Sequence, residues 1–423
     1  MDPRSIRTTH RPLDAVVRAV PSKSVTHRAL VAAALAHGKS TVRGPLRADD
    51  TRITLHGLRA LGVHAESDEE SWIVHGRGGD LPGGGAIELG QSGTSMRFLV
   101  ALAALGSRSS TLDGAPRLRE RPVHELVNAL NELGADVEAA PTGGGLPVCA
   151  GGHRMTGGAV RIPAGLSSQF ASALLLVGSK LELGLDLTLE PPAVSLPYIE
   201  VTEGVLAAFG APVERLDRLR WRVRPGRYEG REYRVEGDHS SASYFLAAAA
   251  VAGGRVRVEG LDRASKQPDA RLAHLLADAG CDVASGPDWI EVRSAGPLRA
   301  LDRDMSEAPD LVPTIAVLAL FAEGRSVFRG IGHLRIKESD RLETVAASLR
   351  ALGCDARAVD DRLEILPDRV RLHGGLIETA SDHRLAMAFA VAGLVIEGVR
   401  IDDPGCVSKS NTGFWDQLER LTC

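Results

Sequence analysis

The sequence predicts an α/β (α+β) fold of six related units, grouped as two similar domains of three. Three observations carry this. A phrase of the form helix–Leu–Gly–strand recurs as "GLRALGVHAE", "ALNELGADVEA", "VLAAFGAPVER", "LLADAGCDVAS" and "LRALGCDARAV". Its glycines, Gly62, Gly134, Gly210, Gly280 and Gly353, fall roughly 70 to 76 residues apart. Upstream of each phrase, and once more near the end, lies an apolar helix rich in small residues, such as "SVTHRALVAAALAHG" or "SSASYFLAAAAVAGG". The sixth unit stops at "GFWDQLERLTC", without a closing strand pair, while "LDAVVRAV" (Leu13 to Val20) stands before the first unit as an orphan strand.

Each element follows from local chemistry. The small-residue helices are apolar nearly all round, so they belong inside a domain. The glycine that ends each second, more charged helix reads as a left-handed cap, and the alternating residues after it read as a strand. Each unit is then strand or loop, buried helix, strand, second helix and strand pair. The N-terminal strand is expected to complete the truncated sixth unit. The domains are then 21–235 and 1–20 plus 236–423. The stretch "RPGRYEGREYRVEGD" has the turn-rich composition of a crossing between them.

Composition narrows the function. The chain has 423 residues, 25% charged and 4% aromatic, with a net charge of −4, so bulk-charge binding of nucleic acid is not expected. No apolar run is long enough for a membrane span, and "MDPRSIRTTHRPLD" lacks the apolar core of a signal peptide. Five scattered cysteines without CxxC spacing read as free thiols of a cytoplasmic protein. No phosphate-binding glycine loop follows a strand, and His64 and His75 have no ligand spacing in the sequence, so no metal and no nucleotide cofactor are expected.

The polar residues collect at helix starts. Ser22 and Ser24, Ser92 and Thr94, Ser167 and Ser168, Ser240 and Ser241, Asp310, and Ser381 with Asp382 open the six inner helices. Capping of free backbone N–H groups explains any one of them. Six alike, with basic residues close by, point to anion sites at the positive helix ends. Those basic residues include Lys23, Arg28, Arg97, Arg121, Arg384 and Lys409. The stretch "RIKESDRLE" crowds further charges around a helix start. Lys337 and Arg341, four apart, are expected on one helix face gripping an anion. Glu338 among such cations suits proton transfer, and surface pairing of Glu338 with Arg341 is the simpler alternative.

At these residues the chain resembles the 5-enolpyruvylshikimate-3-phosphate synthases of the enolpyruvyl transferase family. The matching stretches run in order through the chain: "PSKSVTHRAL", "LGQSGTSMRFL", "RERPVHEL", "SSQFASALLL", "VSLPYIEVT", "GDHSSASYFLAAAA", "PDLVPTIAVLALFAEG", "RIKESDRL", "SDHRLAMAFA" and "DPGCVSKS". The resemblance implies two domains, each of three βαβαββ units with buried parallel helices and sheets on the outside, an inside-out α/β barrel. It implies transfer of the enolpyruvyl group of phosphoenolpyruvate to the 5-hydroxyl of shikimate 3-phosphate through a tetrahedral intermediate, by a monomer without cofactor. Lys23, Ser24 and Arg28 would touch shikimate 3-phosphate, as would Ser167, Ser168, Gln169, Ser195 and Lys337, with Tyr198 at the border. Phosphoenolpyruvate would meet Lys23, Gly93, Arg121, Gln169, Arg341, Arg384 and Lys409. Asp310 would take the hydroxyl proton and Glu338 would protonate the methylene carbon. The first domain would carry mainly the shikimate contacts and the second much of the phosphoenolpyruvate clamp, with closure on the first substrate assembling the second site.

The chain departs from the family pattern at Gln91 and His333, each standing where an Asn is frequent, and in the ending "KSNTGFW". UDP-N-acetylglucosamine enolpyruvyl transferases share the fold and chemistry, but typically carry a Cys in the loop that here reads "LDGAPRLRERPV". A catalytically inactive, metabolite-binding relative is the other alternative, and the intact Lys23, Asp310, Glu338, Arg341, Arg384 and Lys409 argue against it.

Overall fold

The fold was analysed in a computed structural model that describes residues 2–294 and 296–422. The chain forms two compact units, one of Pro21–Val235 and one of Met1–Val20 with Glu236–Cys423.

In Pro21–Val235 the helices Lys23–Leu35, Gly93–Ala103 and Ser168–Gly178 are buried along almost their whole length. Their Ala-rich and Leu-rich sequences let them pack without a polar face. Each is followed by a strand in a sheet of one pattern: a parallel pair, then an antiparallel hairpin. Gly158–Pro163 runs parallel to Leu185–Glu190, which pairs with Arg220–Val223 and through it with Glu214–Asp217. Ala86–Glu88, Ser110–Asp113, Val148–Ala150 and Val137–Ala139 repeat the pattern. In the first sheet Ala36–Arg43 pairs with Ser71–Arg77, and that strand with His64–Ser67. The parallel partner of Ala36–Arg43 comes from the far end of the unit, as Tyr228–Glu229 and Glu232–Arg234. The turn-rich stretch read as a crossing therefore carries two short strands. Gly230 lets them lie close, since a Cβ there would meet the Lys39 carbonyl oxygen at 2.5 Å.

The other unit repeats the arrangement with the buried helices His239–Ala252, Val312–Leu320 and His383–Gly393. Here the N-terminal reading needs correction. Leu13–Arg18 does not complete the last repeat; it lies parallel to Gly254–Glu259 in the sheet of the fourth. That repeat begins with its helix and has no leading strand of its own. Gly254, at φ 93°, permits the contact, because a Cβ would meet the Leu13 carbonyl oxygen at 2.1 Å. The last repeat is completed by Arg4–Ser5, antiparallel to Arg400–Ile401.

The five repeating glycines have φ between 81° and 102°, the left-handed conformation expected of them. Among the described residues no helix is long and apolar enough to cross a membrane. Cys149, Cys281, Cys354 and Cys406 are free thiols, and Cys423 lies outside the described residues.

Candidate active site

Five of the six inner helices are capped by a side chain. Ser22, Ser92, Ser167, Asp238 and Asp382 accept from backbone N–H groups of Val25, Ser95, Gln169, Ser241 and Arg384. In the fourth helix the cap is thus Asp238 and not Ser240 or Ser241. The fifth differs. It enters through a short 3-10 turn, Pro309–Leu311, whose N-cap position is Ala308, and its N-cap position is Leu311, neither with a capping side chain. The Asp310 carboxylate in that turn is spent on arginines.

Arg341 organises the cluster in this unit. Its Nη1 donates to Asp310 at 3.0 Å and its Nη2 to Glu338 at 2.7 Å. Nε and Nη2 fork onto Asp382 at 2.8 and 3.3 Å. Arg384 donates to the second oxygen of Asp310 at 2.7 Å, and the Lys409 ammonium lies 3.7 Å from Glu338. The Arg341 side chain is 1% exposed, so this is a buried ionic network around one guanidinium. Burial pushes the Asp310 carboxyl up, but Arg384, Arg341 and Lys337 outweigh it and hold it well below the usual carboxylate range. Burial likewise opposes the charge on Arg341, and Asp382, Glu338 and Asp310 overcome it. His333 is buried and its Nε2 has no hydrogen-bond partner; burial, then Lys337, lower its pKa to about 3. Asp269 is missed by the sequence reading. Its carboxyl accepts from Ser240, and burial, then the charge of Asp310, raise it to about 7.

One sequence expectation fails here. Lys337 and Arg341 do not share a helix face, because the helix begins at Arg341 and Asp340 is its cap. Lys337 closes the preceding 3-10 turn Gly332–Ile336 with extended backbone. The other charges of the stretch are structural: Arg335 pairs with Asp340 at 3.0 Å, and Asp340 accepts from the Glu343 N–H at 3.0 Å.

In Pro21–Val235 the expected residues gather at the starts of the three inner helices. The Lys23 ammonium bonds Asp50 at 3.0 Å. Asp50 opens the second helix of that repeat and was not singled out in the sequence, since 27 residues separate the pair. Arg28 is 2% exposed and surrounded by neutral groups. It donates to the Thr202 and Ser172 hydroxyls at 2.7 and 3.2 Å, and to the Ser24 and Tyr198 carbonyls at 2.9 and 3.2 Å. Burial lowers its pKa to about 10. Arg97 donates to the Gln169 amide oxygen at 2.9 Å, and Gln169 to Thr94 at 3.0 Å. Arg121 packs over Gly93 so closely that a Cβ there would lie 2.5 Å from its guanidinium. Ser167 and Ser168 are buried at the third helix start. Ser195 is buried at φ 57° with its hydroxyl unpartnered, a strained backbone that aims a free polar group.

Such a set of helix ends, arginines and paired carboxylates suits anionic substrates and proton transfer. Comparison with known proteins agrees. The profile of EPSP synthase (3-phosphoshikimate 1-carboxyvinyltransferase) matches residues 7–418. The chain belongs to the EPSP synthase family. A 3-phosphoshikimate 1-carboxyvinyltransferase of Methanoculleus marisnigri is 45% identical over 410 residues, 96% of each chain. One of Methanosphaerula palustris is 44% identical over 413 residues, 97% of each. The EPSP synthase structure from Acinetobacter baumannii superposes with a TM-score of 0.82 at 28% identity, over 99% of this chain and 97% of that one. The mixed α/β fold is therefore that of solved EPSP synthases.

Proposed function

We propose that the two clusters divide the work of enolpyruvyl transfer. The chain is a transferase of the shikimate pathway. It moves the 1-carboxyvinyl group of phosphoenolpyruvate to the 5-hydroxyl of shikimate 3-phosphate and releases phosphate. The observation that carries the division of labour is the single guanidinium of Arg341 holding both Asp310 and Glu338.

Asp310 takes the hydroxyl proton as the 5-oxygen attacks C2 of phosphoenolpyruvate. Glu338 delivers a proton to C3; in the second half the Glu338 carboxylate takes a proton back from the C3 methyl as the C2–O bond to phosphate breaks, which restores the vinyl group and releases phosphate. A carboxylate held by two arginines is ionised but weakly basic. Phosphoenolpyruvate relieves this by drawing Arg384 to its own charges, which leaves Asp310 more basic, and by drawing Lys409 from Glu338, which lets Glu338 hold the proton it delivers. Arg341 already uses four of its five N–H groups, so it touches phosphoenolpyruvate through the remaining Nη1–H while keeping the two carboxyls apart. Lys337 and His333 stand beside Asp310, the former reaching shikimate 3-phosphate.

In the other unit Lys23, Ser24 and Arg28 bind shikimate 3-phosphate with Ser167, Ser168 and Ser195, and Tyr198 borders it. Gln169 serves both substrates, Lys23 reaches phosphoenolpyruvate as well, and Arg121 grips it over Gly93. The three buried helices of each unit, with one sheet of three to five strands per repeat, support an inside-out α/β barrel. The protein works as a cytoplasmic monomer, each cluster being built from the chain's own residues, and sedimentation tests the monomer. Phosphate release from phosphoenolpyruvate is expected with shikimate 3-phosphate and not with UDP-N-acetylglucosamine. Release only with the UDP-sugar would reassign the acceptor, and release with neither would mark a binding protein.

A further inference from the structure

On the first sheet, among residues given no part in catalysis, three metal-ligating side chains come together. His64 and His75 are direct partners across the antiparallel pair His64–Ser67 and Ser71–Arg77. Eleven residues apart along the chain, they show no motif in the sequence; the hairpin register makes them neighbours. Glu66 is two residues on from His64 and so shares its face. The Glu66 carboxylate lies 2.9 Å from His64 Nε2 and 3.5 Å from His75 Nε2, and all three donor atoms fall within 4.8 Å of one another. The buried residues Ala65, Val74 and Trp72 fix the hairpin from its other face.

We propose that His64, Glu66 and His75 form a binding site for a late first-row divalent cation, Zn²⁺ being the probe of choice. Two imidazoles and a carboxylate are the donor set such ions prefer over Mg²⁺ or Ca²⁺. Tetrahedral coordination at ordinary bond lengths places donors about 3.3 Å apart. The present separations reach that with side-chain rotations only, and all three side chains are at least 44% exposed and able to make them. Three protein ligands leave a fourth position for water. The ion would clip the edge strand to its neighbour. Lys39, in register with His75 on the strand Ala36–Arg43, adds a further positive charge beside the site.

Titration calorimetry of the chelator-stripped full chain with ZnCl₂ tests this. The expected result is one ion per chain at pH 7.5, binding lost in His64→Ala/His75→Ala and weakened at least about tenfold in Glu66→Gln. Enolpyruvyl transfer and the circular dichroism spectrum of the double variant stay as in the parent. A rise in melting temperature with zinc, absent in the double variant, is the second readout. Binding weaker than about 0.1 mM, or an isotherm unchanged in the double variant, would overturn the proposal and leave a carboxylate merely hydrogen-bonded between two imidazoles.

Discussion

Arg28 and Arg341 are both buried arginines, and each uses four of its five N–H groups within the protein. Their surroundings are opposite. Arg28 meets two hydroxyls and two carbonyls, so its charge is uncompensated, and burial depresses its pKa to about 10. Arg341 meets three carboxylates, and its charge is held against burial. A buried cation among neutral dipoles gains a full partner only when an anion arrives. One among carboxylates already has its partners and serves to place them. The same residue type is thus left without a counter-charge in one unit, as the proposed anion receptor would be, and surrounded by counter-charges in the other.

The comparison breaks most visibly at Arg341. Arg341→Met leaves Asp310, Glu338 and Asp382 without their shared counter-charge. Loss of one partner of a buried ionic network costs about 3–5 kcal/mol, so a large drop in the urea midpoint is expected together with loss of turnover. If the variant stayed as stable as the parent, the organising role would be wrong. Asp310→Asn and Glu338→Gln keep the shape and remove the proton chemistry. Turnover should fall about 10²- to 10⁴-fold, with substrate affinities by calorimetry changing far less.

Arg28→Met gives the contrasting outcome. Thr202 and Ser172 hydrogen-bond each other at 2.8 Å without Arg28, so the pocket keeps its polar pairing. Stability by urea titration should change by no more than about 1 kcal/mol, while affinity for shikimate 3-phosphate drops about 10- to 100-fold, the worth of a charge-assisted bond. Equal losses of stability in Arg28→Met and Arg341→Met would erase the distinction. Gly93→Ala sharpens it further. The new methyl displaces the flexible end of Arg121 and not backbone. About a tenfold rise in KM for phosphoenolpyruvate is expected, with stability nearly unchanged.

The sequence displayed what is local. The glycine caps, the all-apolar helices and the polar helix starts are each written in a few adjacent residues, and they carry the repeat. It did not display partners brought from far along the chain. Leu13–Arg18 against Gly254–Glu259, Tyr228–Arg234 against Ala36–Arg43, and Lys23 against Asp50 are pairings that no periodicity reveals. "RIKESDRLE" shows both limits. Its charges were legible as a cluster, but the extended residue at Lys337 ends the simple helical reading, and the threefold role of Arg341 needs Asp310 and Asp382 from other elements.

His333 offers the finest test, because it belongs to the organised cluster yet carries no charge there. Its folded pKa of about 3 lies below the ordinary value of 6.5. The unfolded chain therefore binds the proton more readily, and the stability this residue contributes is complete above pH 6.5 and lost as pH falls toward 3. From pH 6.5 to pH 5 the loss is about 1.6 kcal/mol, since the unfolded histidine is half protonated at the start of that interval. His333→Asn removes the titrating group. Its urea midpoint should be flatter than the parent's across that interval, so that the two curves diverge on acidification. Parallel curves would mean that His333 takes up its proton in the folded protein as readily as in the unfolded chain. On acidification it would then become a fourth cation beside Asp310, and the second cluster would be closer in kind to the first than the contrast between Arg28 and Arg341 implies.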